Sequence, residues 1–197
     1  MKVVAFNGSP RKDGNTAILL NYVLHELSAE GIETELVQLA GERIIGCRGC
    51  YTCWERKDGR CAIDTDILND CIEKMLDADG ILMGSPVYYG DITAEMKALL
   101  DRSFFVARAN NYLFRRKVAA AVVAVRRAGA SNTLDTMYRY FTPAMMVIPG
   151  STYWNLGMGE AIGEVEKDEE GILTMKNLGR NMAWLIKALH AYNTSGN

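Results

Sequence analysis

The sequence predicts a doubly wound α/β fold built on a five-stranded parallel sheet. Five short apolar segments alternate with five longer amphipathic ones, and the first, third and fourth apolar segments are almost continuously hydrophobic. Parallel strands covered by helices on both faces have this continuous apolar character. The alternation itself is typical of right-handed helical crossovers between parallel strands. Ligands are therefore expected beyond the carboxyl ends of the strands.

Each predicted element follows from its own pattern. The predicted strands are short apolar runs: Lys2–Asn7, Glu33–Leu39, Gly80–Gly84, Lys117–Val125 and Met145–Ile148. The predicted helices carry apolar residues at helical spacing: Asn15–Glu30, Asp66–Asp77, Thr93–Ala107, Ser131–Phe141 and Leu173–Ala191. A single domain over residues 1–197 is expected. Two segments fall outside the pattern, a structureless loop over residues 40–63 and an irregular excursion over residues 150–171.

Composition excludes several classes of function. The chain has 22 Lys and Arg against 24 Asp and Glu, so it lacks the basic excess that nucleic-acid binding requires. Its apolar runs are too short to span a bilayer. Met1 leads directly into a strand-like segment without an export signal, and a cytoplasmic protein is expected. The sequence contains no G-x-S-x-G or H-E-x-x-H motif, which argues against a hydrolase.

The first predicted strand runs into a glycine- and hydroxyl-rich turn, the phosphate loop (residues 8–16), and a helix follows at once. Backbone N–H groups at a helix N-terminus form an anion site. The candidate binding residues of this loop are Ser9, Pro10, Arg11, Gly14, Asn15 and Thr16. Neither the Walker A pattern nor G-x-G-x-x-G is present, which favours a terminal phosphate monoester such as that of FMN. The alternative is an ordinary turn capped by Asn15 or Thr16.

A second candidate binding segment, the flavin loop (residues 85–91), follows the third predicted strand. Adjacent tyrosines can stack on a planar ring, and a glycine permits close backbone approach. The candidates in this loop are Pro86, Val87, Tyr88, Tyr89, Gly90 and Asp91. Arg126 lies at the end of the fourth predicted strand. It binds either the planar ring or the phosphates of a nicotinamide cofactor; the alternative is a solvated surface charge. For residues 85–91, the alternative is a turn with two partly buried tyrosines.

Residues 40–63, the cysteine loop, contain four of the five cysteines, in the pattern C-x2-C-x2-C-x7-C. Three evenly spaced cysteines followed by a fourth resemble the ligands of a [4Fe–4S] cluster, with Cys47, Cys50, Cys53 and Cys61 as candidates. The alternatives are a zinc-stabilised loop, free thiols or a motif that has lost its metal. Cys71 lies among apolar residues at helical spacing and is expected to be a buried core residue.

Together these motifs resemble the NADPH-dependent FMN reductase group of flavodoxin-like proteins, and most closely its iron–sulfur flavoproteins. The resemblance covers the chain up to about Ile148. It includes the phosphate loop, the cysteine run, residues 85–90 and Met96–Leu99 leading to Asp101–Arg102. It implies the flavodoxin strand order 2-1-3-4-5 with a cysteine-bearing loop after strand 2. It also implies FMN phosphate on the first loop, the flavin ring against the second, a [4Fe–4S] cluster near the flavin, and a homodimer or homotetramer.

The expected function is an FMN-dependent redox protein that passes electrons between a donor, FMN and a [4Fe–4S] cluster. The chemistry lies on the flavin, so no catalytic side chain is expected. Donor and acceptor are a small molecule or a redox protein, with NAD(P)H as one possible donor, and neither nucleic acid nor membrane is expected as a partner. One alternative is an NAD(P)H-dependent FMN or quinone reductase without a cluster. An alternative of another class is a zinc-bearing binding domain with a vestigial flavin site.

Overall fold

The computed structural model describes residues 1–195 and contains a parallel five-stranded sheet in the order β2-β1-β3-β4-β5, which confirms the predicted fold class and strand order. Residues 196 and 197, part of the predicted domain, lie outside the described residues. The strands are β1 Lys2–Asn7, β2 Glu33–Gln38, β3 Gly80–Pro86, β4 Val118–Val125 and β5 Leu156–Met158. The α-helices are α1 Asn15–Ala29, α2 Thr52–Arg56, α3 Leu68–Asp77, α4 Ala94–Ala109, α5 Ala130–Phe141 and α6 Glu169–Thr194.

Helices cover both faces of the sheet. Side chains that alternate along β1 enter two separate hydrophobic cores: Val3 and Ala5 pack with α1 and α6, whereas Val4 and Phe6 pack with α3, α4 and α5. All eight residues of β4 are buried, as the continuous apolar run predicts. This double cover leaves the carboxyl edge of the sheet open to the loops that follow the strands.

The prediction for the fifth strand was wrong. Residues 145–148 contribute only an isolated parallel bridge between Val147 and Val118. The strand β5 lies further along the chain and pairs with the carboxyl half of β4, with Leu156 opposite Val123. It is only three residues long and has a glycine at its centre, because a Cβ at Gly157 would lie 2.6 Å from Leu19 Cδ2. The apolar run at 145–148 was the stronger hydrophobic pattern, but the sheet uses the shorter segment.

Two further segments differ from the sequence-based prediction. The cysteine loop is not structureless, since it contains the short helix α2. The excursion over 150–171 includes β5, a 3₁₀ turn at Glu164–Lys167 and the first residues of α6. Within residues 1–195, no helix combines the length and the apolar character needed to cross a membrane.

Cys71 is a core residue, as predicted. Its side chain is buried on α3, and burial raises the pKa of its thiol to about 12. The other four cysteines lie together elsewhere.

Candidate functional site

A cavity of about 150 Å³ lies at the carboxyl edge of the sheet. Its lining comes from the phosphate loop, the flavin loop, the end of β4 and the segment after β5: Ser9, Arg11, Asn15, Thr16, Pro86, Val87, Tyr88, Ala124, Arg126, Gly159 and Glu160. The structure therefore brings together the two loops that the sequence selected, and it adds a third segment that the sequence analysis did not include.

The phosphate loop presents an open helix N-terminus. The N-cap of α1 is Gly14, and no side chain within residues 1–195 caps the helix. The alternative of a turn capped by Asn15 or Thr16 is therefore not what forms. A Cβ at Gly14 would lie 2.9 Å from Arg11 Cβ, so the tight turn requires glycine. The first N–H groups of α1 remain available to an anion.

Thr16 provides the test of whether this loop fits a phosphate. Its hydroxyl oxygen is buried and has no hydrogen-bond partner among residues 1–195. An unpaired buried hydroxyl costs about 1–3 kcal/mol, and native proteins rarely leave one unsatisfied. A phosphate oxygen in the adjacent cavity would accept a hydrogen bond from this hydroxyl. The residues present therefore fit a phosphate group.

Two residues that the sequence analysis missed hold the phosphate loop in place. Asn7, the last residue of β1, accepts from the Ser9 N–H at 3.0 Å and donates to Gln38 Oε1 at 2.7 Å. Gln38 in turn donates to the Ser9 carbonyl at 2.7 Å. Both are polar residues that end neighbouring strands in register, and that signal was present in the sequence. Ser9 Oγ accepts from the Arg11 N–H at 3.1 Å, which leaves its own proton free to donate.

Two of the predicted binding residues are engaged with the segment that follows β5. Asn15 donates to the Ala161 carbonyl at 2.9 Å and accepts from the Gly163 N–H at 2.9 Å. Arg126 is exposed, and its Nε lies 3.1 Å from Glu160 Oε2. Both side chains thus fasten residues 159–163 beside the cavity. Binding of FMN by Asn15 and Arg126 stays a prediction.

The flavin loop is a tight turn at the tip of β3. Tyr88 and Asp91 exchange two backbone hydrogen bonds, of 2.8 and 3.0 Å, around Tyr89 and Gly90. Both central residues are left-handed, with φ of 49° and 83°. Glycine adopts this backbone readily, whereas a tyrosine does so at a cost. Tyr88 and Tyr89 are both exposed at the edge of the sheet, not partly buried.

The flavin loop is braced from two sides. The Val87 N–H donates to the Ala124 carbonyl at 3.0 Å, and Asn132 donates to the Gly90 carbonyl at 2.6 Å. Gly129 begins α5 with φ of 93°, and a Cβ there would lie 2.9 Å from Gly90 Cα. The Asp91 carboxylate accepts from the N–H of Ile92 at 2.8 Å, so it fixes the backbone directly after the turn.

The four cysteines of the cysteine loop line one second cavity. Arg102, Phe105 and Val106 of α4 line it with them, and Tyr51 packs edge-on against Phe105 at a centroid distance of 5.6 Å. Among residues 1–195, no group of three or more His, Cys, Asp or Glu side chains is arranged to hold a metal ion. A tetrahedral zinc site requires sulfurs about 2.3 Å from one centre, whereas a four-iron cluster spreads its ligands around a larger body.

The thiols differ in exposure and in ionisation. Cys47 and Cys50 are exposed, Cys61 is half-buried and Cys53 is buried. Hydrogen bonds from Thr52 lower the pKa of Cys50, while burial raises the pKa of Cys53. The Gly49 N–H donates to Cys47 Sγ at 3.4 Å, so one backbone N–H group is directed at a sulfur of this cavity.

The two cavities lie at opposite parts of α4. Thr93, at the N-terminus of this helix, donates to the Gly8 carbonyl at 2.8 Å beside the phosphate loop. Arg102 and Val106, which line the cysteine cavity, follow eight to twelve residues after Ala94. At about 1.5 Å per residue, that spacing corresponds to roughly 12–18 Å along the helix.

Comparison with known proteins identifies the group to which this arrangement belongs. Residues 1–161 match the family model for NADPH-dependent FMN reductase. The chain belongs to the NADPH-dependent FMN reductase family. It is 37% identical to an iron–sulfur flavoprotein of Methanocaldococcus jannaschii, over 96% of this chain and 99% of the relative. It is 30% identical to an iron–sulfur flavoprotein of Methanosarcina thermophila, over 96% of this chain and 97% of the relative.

Solved structures agree on the fold of this FMN reductase family member. RosB with a bound riboflavin-phosphate intermediate matches with a TM-score of 0.75 at 19% identity, over 97% of this chain and 81% of RosB. The NAD(P)H:quinone oxidoreductase of Methanothermobacter marburgensis matches with a TM-score of 0.69 at 16% identity, over 92% of this chain and 96% of that chain. The chain is thus an FMN-dependent redox protein, a flavin-dependent oxidoreductase.

Proposed function

We propose that the chain is an iron–sulfur flavoprotein in which FMN and a [4Fe–4S] cluster pass electrons between a donor and an acceptor. The observation that supports the cluster is the convergence of four thiols from one loop on one cavity. Two relatives that are named iron–sulfur flavoproteins and match along nearly their full length support the same conclusion. Bound FMN exchanges two electrons with a hydride donor and one electron with a cluster.

The cavity at the carboxyl edge is the proposed FMN site. The phosphate contacts are assigned to one loop: Ser9, Pro10, Arg11, Gly14, Asn15 and Thr16. The ring contacts are assigned to the second loop and the end of β4: Pro86, Val87, Tyr88, Tyr89, Gly90, Asp91 and Arg126. The unpaired Thr16 hydroxyl and the uncapped start of α1 support the phosphate assignment. Ser9, Arg11 and Thr16 bind the phosphate, and the flavin loop orients the ring.

The cysteine cavity is the proposed cluster site, with Cys47, Cys50, Cys53 and Cys61 as ligands. Three features support an anionic occupant: the Gly49 N–H directed at Cys47, the lowered pKa of Cys50, and the buried guanidinium of Arg102 beside Cys61. Arg102 Nη2 donates to Cys61 Sγ at 3.4 Å, which directs a positively charged group at one of the proposed ligands. Phe105 and Val106 give the helix side of the cavity an apolar lining.

The deciding experiment is an absorption spectrum of protein purified without oxygen, recorded before and after dithionite, with iron, acid-labile sulfide, zinc and FMN measured on the same sample. Flavin bands over a broad brown absorbance that bleaches, with about four irons per chain, are expected. Flavin bands without iron, even after anaerobic reconstitution, would exclude the cluster. Stoichiometric zinc in a colourless protein would instead support a binding domain with a vestigial flavin site.

A second candidate function is an NAD(P)H-dependent FMN or quinone reductase without a cluster. A neighbouring cavity of about 340 Å³ at the ends of β4 and β5 favours it, because Arg127 and the uncapped start of α5 at Gly129 line it, together with the acidic residues Asp168 and Glu170. Such a site offers a cation and free N–H groups to a phosphorylated donor. Rapid bleaching of the flavin by NADPH or NADH in a stopped-flow mixer would favour this function. Reduction by a ferredoxin-like donor alone would favour the cluster carrier.

We also propose that the chain forms a homodimer or homotetramer and works in the cytoplasm. Large exposed aromatic side chains support self-association, among them Tyr51, Trp154 and Trp184. Donor and acceptor are a small molecule or a redox protein. Sedimentation equilibrium of the FMN-loaded protein measures the subunit number, and a monomer at micromolar concentration would contradict the proposal.

A further inference from the structure

Arg102 is a buried cation in the wall of the cysteine cavity. Its side chain is 1% exposed and pairs with the fully buried carboxylate of Asp66. Nη1 donates to the Ile45 carbonyl at 2.9 Å, and Nη2 donates to the Ile63 carbonyl at 3.0 Å and to Cys61 Sγ at 3.4 Å. One guanidinium thus contacts the backbone on both sides of the four cysteines and one of the sulfurs themselves.

Asp66 helps Arg102 to close the loop that carries the four cysteines. Its carboxylate accepts from the Ile45 N–H at 3.1 Å, so both backbone polar groups of Ile45 are bound by the pair. It also accepts from the Leu68 N–H at 3.3 Å, which fixes it at the start of α3. Residues 46–62 therefore form a loop whose two ends meet at one buried ion pair. Closing such a loop removes chain entropy before any cofactor binds.

The pair is also oriented with respect to the sulfur. The guanidinium donates to Cys61 Sγ through Nη2 and binds the Asp66 carboxylate through both terminal nitrogens. A guanidinium keeps its charge at all accessible pH values. In a buried site, a nearby positive charge stabilises an added negative charge more strongly than it does in water. Charge and hydrogen bonds at the cysteine sulfurs are among the factors that set the reduction potential of a cluster.

We propose that Arg102 is a positioning residue that closes the cysteine loop together with Asp66 and raises the reduction potential of the cluster through Cys61. This inference rests on the proposed function. Reduction adds one electron to the cluster, and in a titration dithionite supplies that electron. The added charge is stabilised by the guanidinium, so its removal makes reduction less favourable.

The test compares four forms of the protein purified without oxygen. In Asp66→Asn/Arg102→Gln both charges are removed together, so that no unpaired buried charge remains. Arg102→Lys keeps the charge without the planar fork. Arg108→Gln is the matched control, since Arg108 is an exposed arginine on the same helix that does not line the cysteine cavity. Redox titration with dithionite, followed by electron paramagnetic resonance, gives the cluster potential of each form.

The guanidinium contacts Cys61 Sγ directly, whereas the Asp66 carboxylate binds Ile45, Leu68 and Arg102, so loss of the guanidinium should dominate when both charges are removed. The double variant is therefore expected to reduce about tenfold less favourably, which is a drop of about 59 mV for a one-electron couple. The cluster potential of Arg102→Lys should fall by less, and that of Arg108→Gln should equal the potential of the native protein. A double variant that keeps its four irons and has the native cluster potential would overturn the proposed effect of Arg102 on that potential. Hydrogen exchange on the apo-protein tests the closure separately: amides of residues 46–62 should exchange faster in the double variant, and unchanged exchange would overturn it. Absence of iron from the native protein after reconstitution would instead refute the proposed cluster.

Discussion

The hydroxyl of Thr93 joins the start of α4 to the end of the first strand. It donates to the Gly8 carbonyl at 2.8 Å and, as the N-cap of α4, accepts from the Met96 N–H at 3.3 Å. A Cβ at Gly8 would lie 3.0 Å from Met96 Cβ, so the strand and helix meet almost without a gap. One small polar side chain thereby couples the phosphate loop to the helix that also lines the cysteine cavity.

Thr93→Val should lower the free energy of unfolding by about 2 kcal/mol, because it removes an N-cap and leaves the Gly8 carbonyl unpaired. The affinity for FMN should fall as well, since Gly8 is the first residue of the phosphate loop. Urea denaturation of the apo-protein and fluorescence titration with FMN measure the two effects. Thr93→Ser keeps the hydroxyl and serves as the control. Equal losses in both variants would contradict the role of the hydrogen bond.

Thr16→Val should affect the free and the FMN-bound protein in opposite directions. In the free protein, the substitution removes a buried hydroxyl without a partner among the described residues, so stability should be unchanged or slightly higher. In the complex, it removes a donor to the phosphate, and FMN affinity should fall about tenfold, or 1.4 kcal/mol. Riboflavin, which lacks the phosphate, is the control ligand and should bind both forms equally. Unchanged FMN affinity would remove Thr16 from the site.

Gly129→Ala should destabilise the protein more than Gly31→Ala does. Both positions have a positive φ, but no heavy atom of the described residues would lie within 4 Å of a Cβ at Gly31, whereas a Cβ at Gly129 would meet Gly90 Cα at 2.9 Å. The backbone strain of about 1 kcal/mol or more is common to both variants. The difference in their thermal midpoints therefore isolates the contact between α5 and the flavin loop. FMN binding should weaken only in Gly129→Ala.

Cys50→Ser should abolish iron binding while FMN stays bound, because the two cavities share no lining residue. Iron analysis and the flavin absorbance of one sample report both outcomes. Cys71→Ala is the matched control, since Cys71 is buried in the core and does not line the cysteine cavity. Full iron content in Cys50→Ser would refute the ligand assignment.

Acid should weaken the protein partly through Asp66. Burial opposes ionisation of this carboxyl, but hydrogen bonds from Arg102 and the Ile45 N–H outweigh it and lower its pKa below the usual range of an aspartate. A lowered pKa contributes stability that is present above the unfolded value and is lost as the pH falls through the folded value. Urea midpoints between pH 2 and pH 7 should therefore converge for the native protein and Asp66→Asn at the acid end. A constant gap across this range would contradict the assignment.

Much of the fold followed from hydrophobic pattern, because the central strands are buried on both faces. The eight-residue apolar run of β4 admits few other structures. The fifth strand could not be found in this way. Leu156–Met158 is too short to show a period, and its central glycine is dictated by the approach of Leu19 from α1, a contact distant in sequence.

The candidate site was predictable where its residues are local in sequence. The phosphate loop (residues 8–16), the flavin loop (residues 85–91) and the cysteine run (residues 47–61) can each be recognised from one short stretch of sequence. Contacts between distant segments were not predictable, such as Asn15 with Ala161 or Arg102 with Cys61. In the sequence Arg102 stands out only as part of a family motif, since its burial and its hydrogen-bond partners are properties of the folded chain.

The unequal exposure of the four thiols bears on how a cofactor is delivered. Cys53 and Cys61 are set by α2 and by Arg102 as the chain folds, whereas Cys47 and Cys50 lie on exposed backbone. In the folded chain, two of the proposed ligands are thus already fixed while the other two are accessible from solvent. A scaffold protein that delivers a cluster could approach this exposed side without disturbing the sheet. Because they are exposed, Cys47 and Cys50 are also the first sulfurs that oxygen or peroxide would meet. Maturation and oxidative damage would then begin at the same two residues.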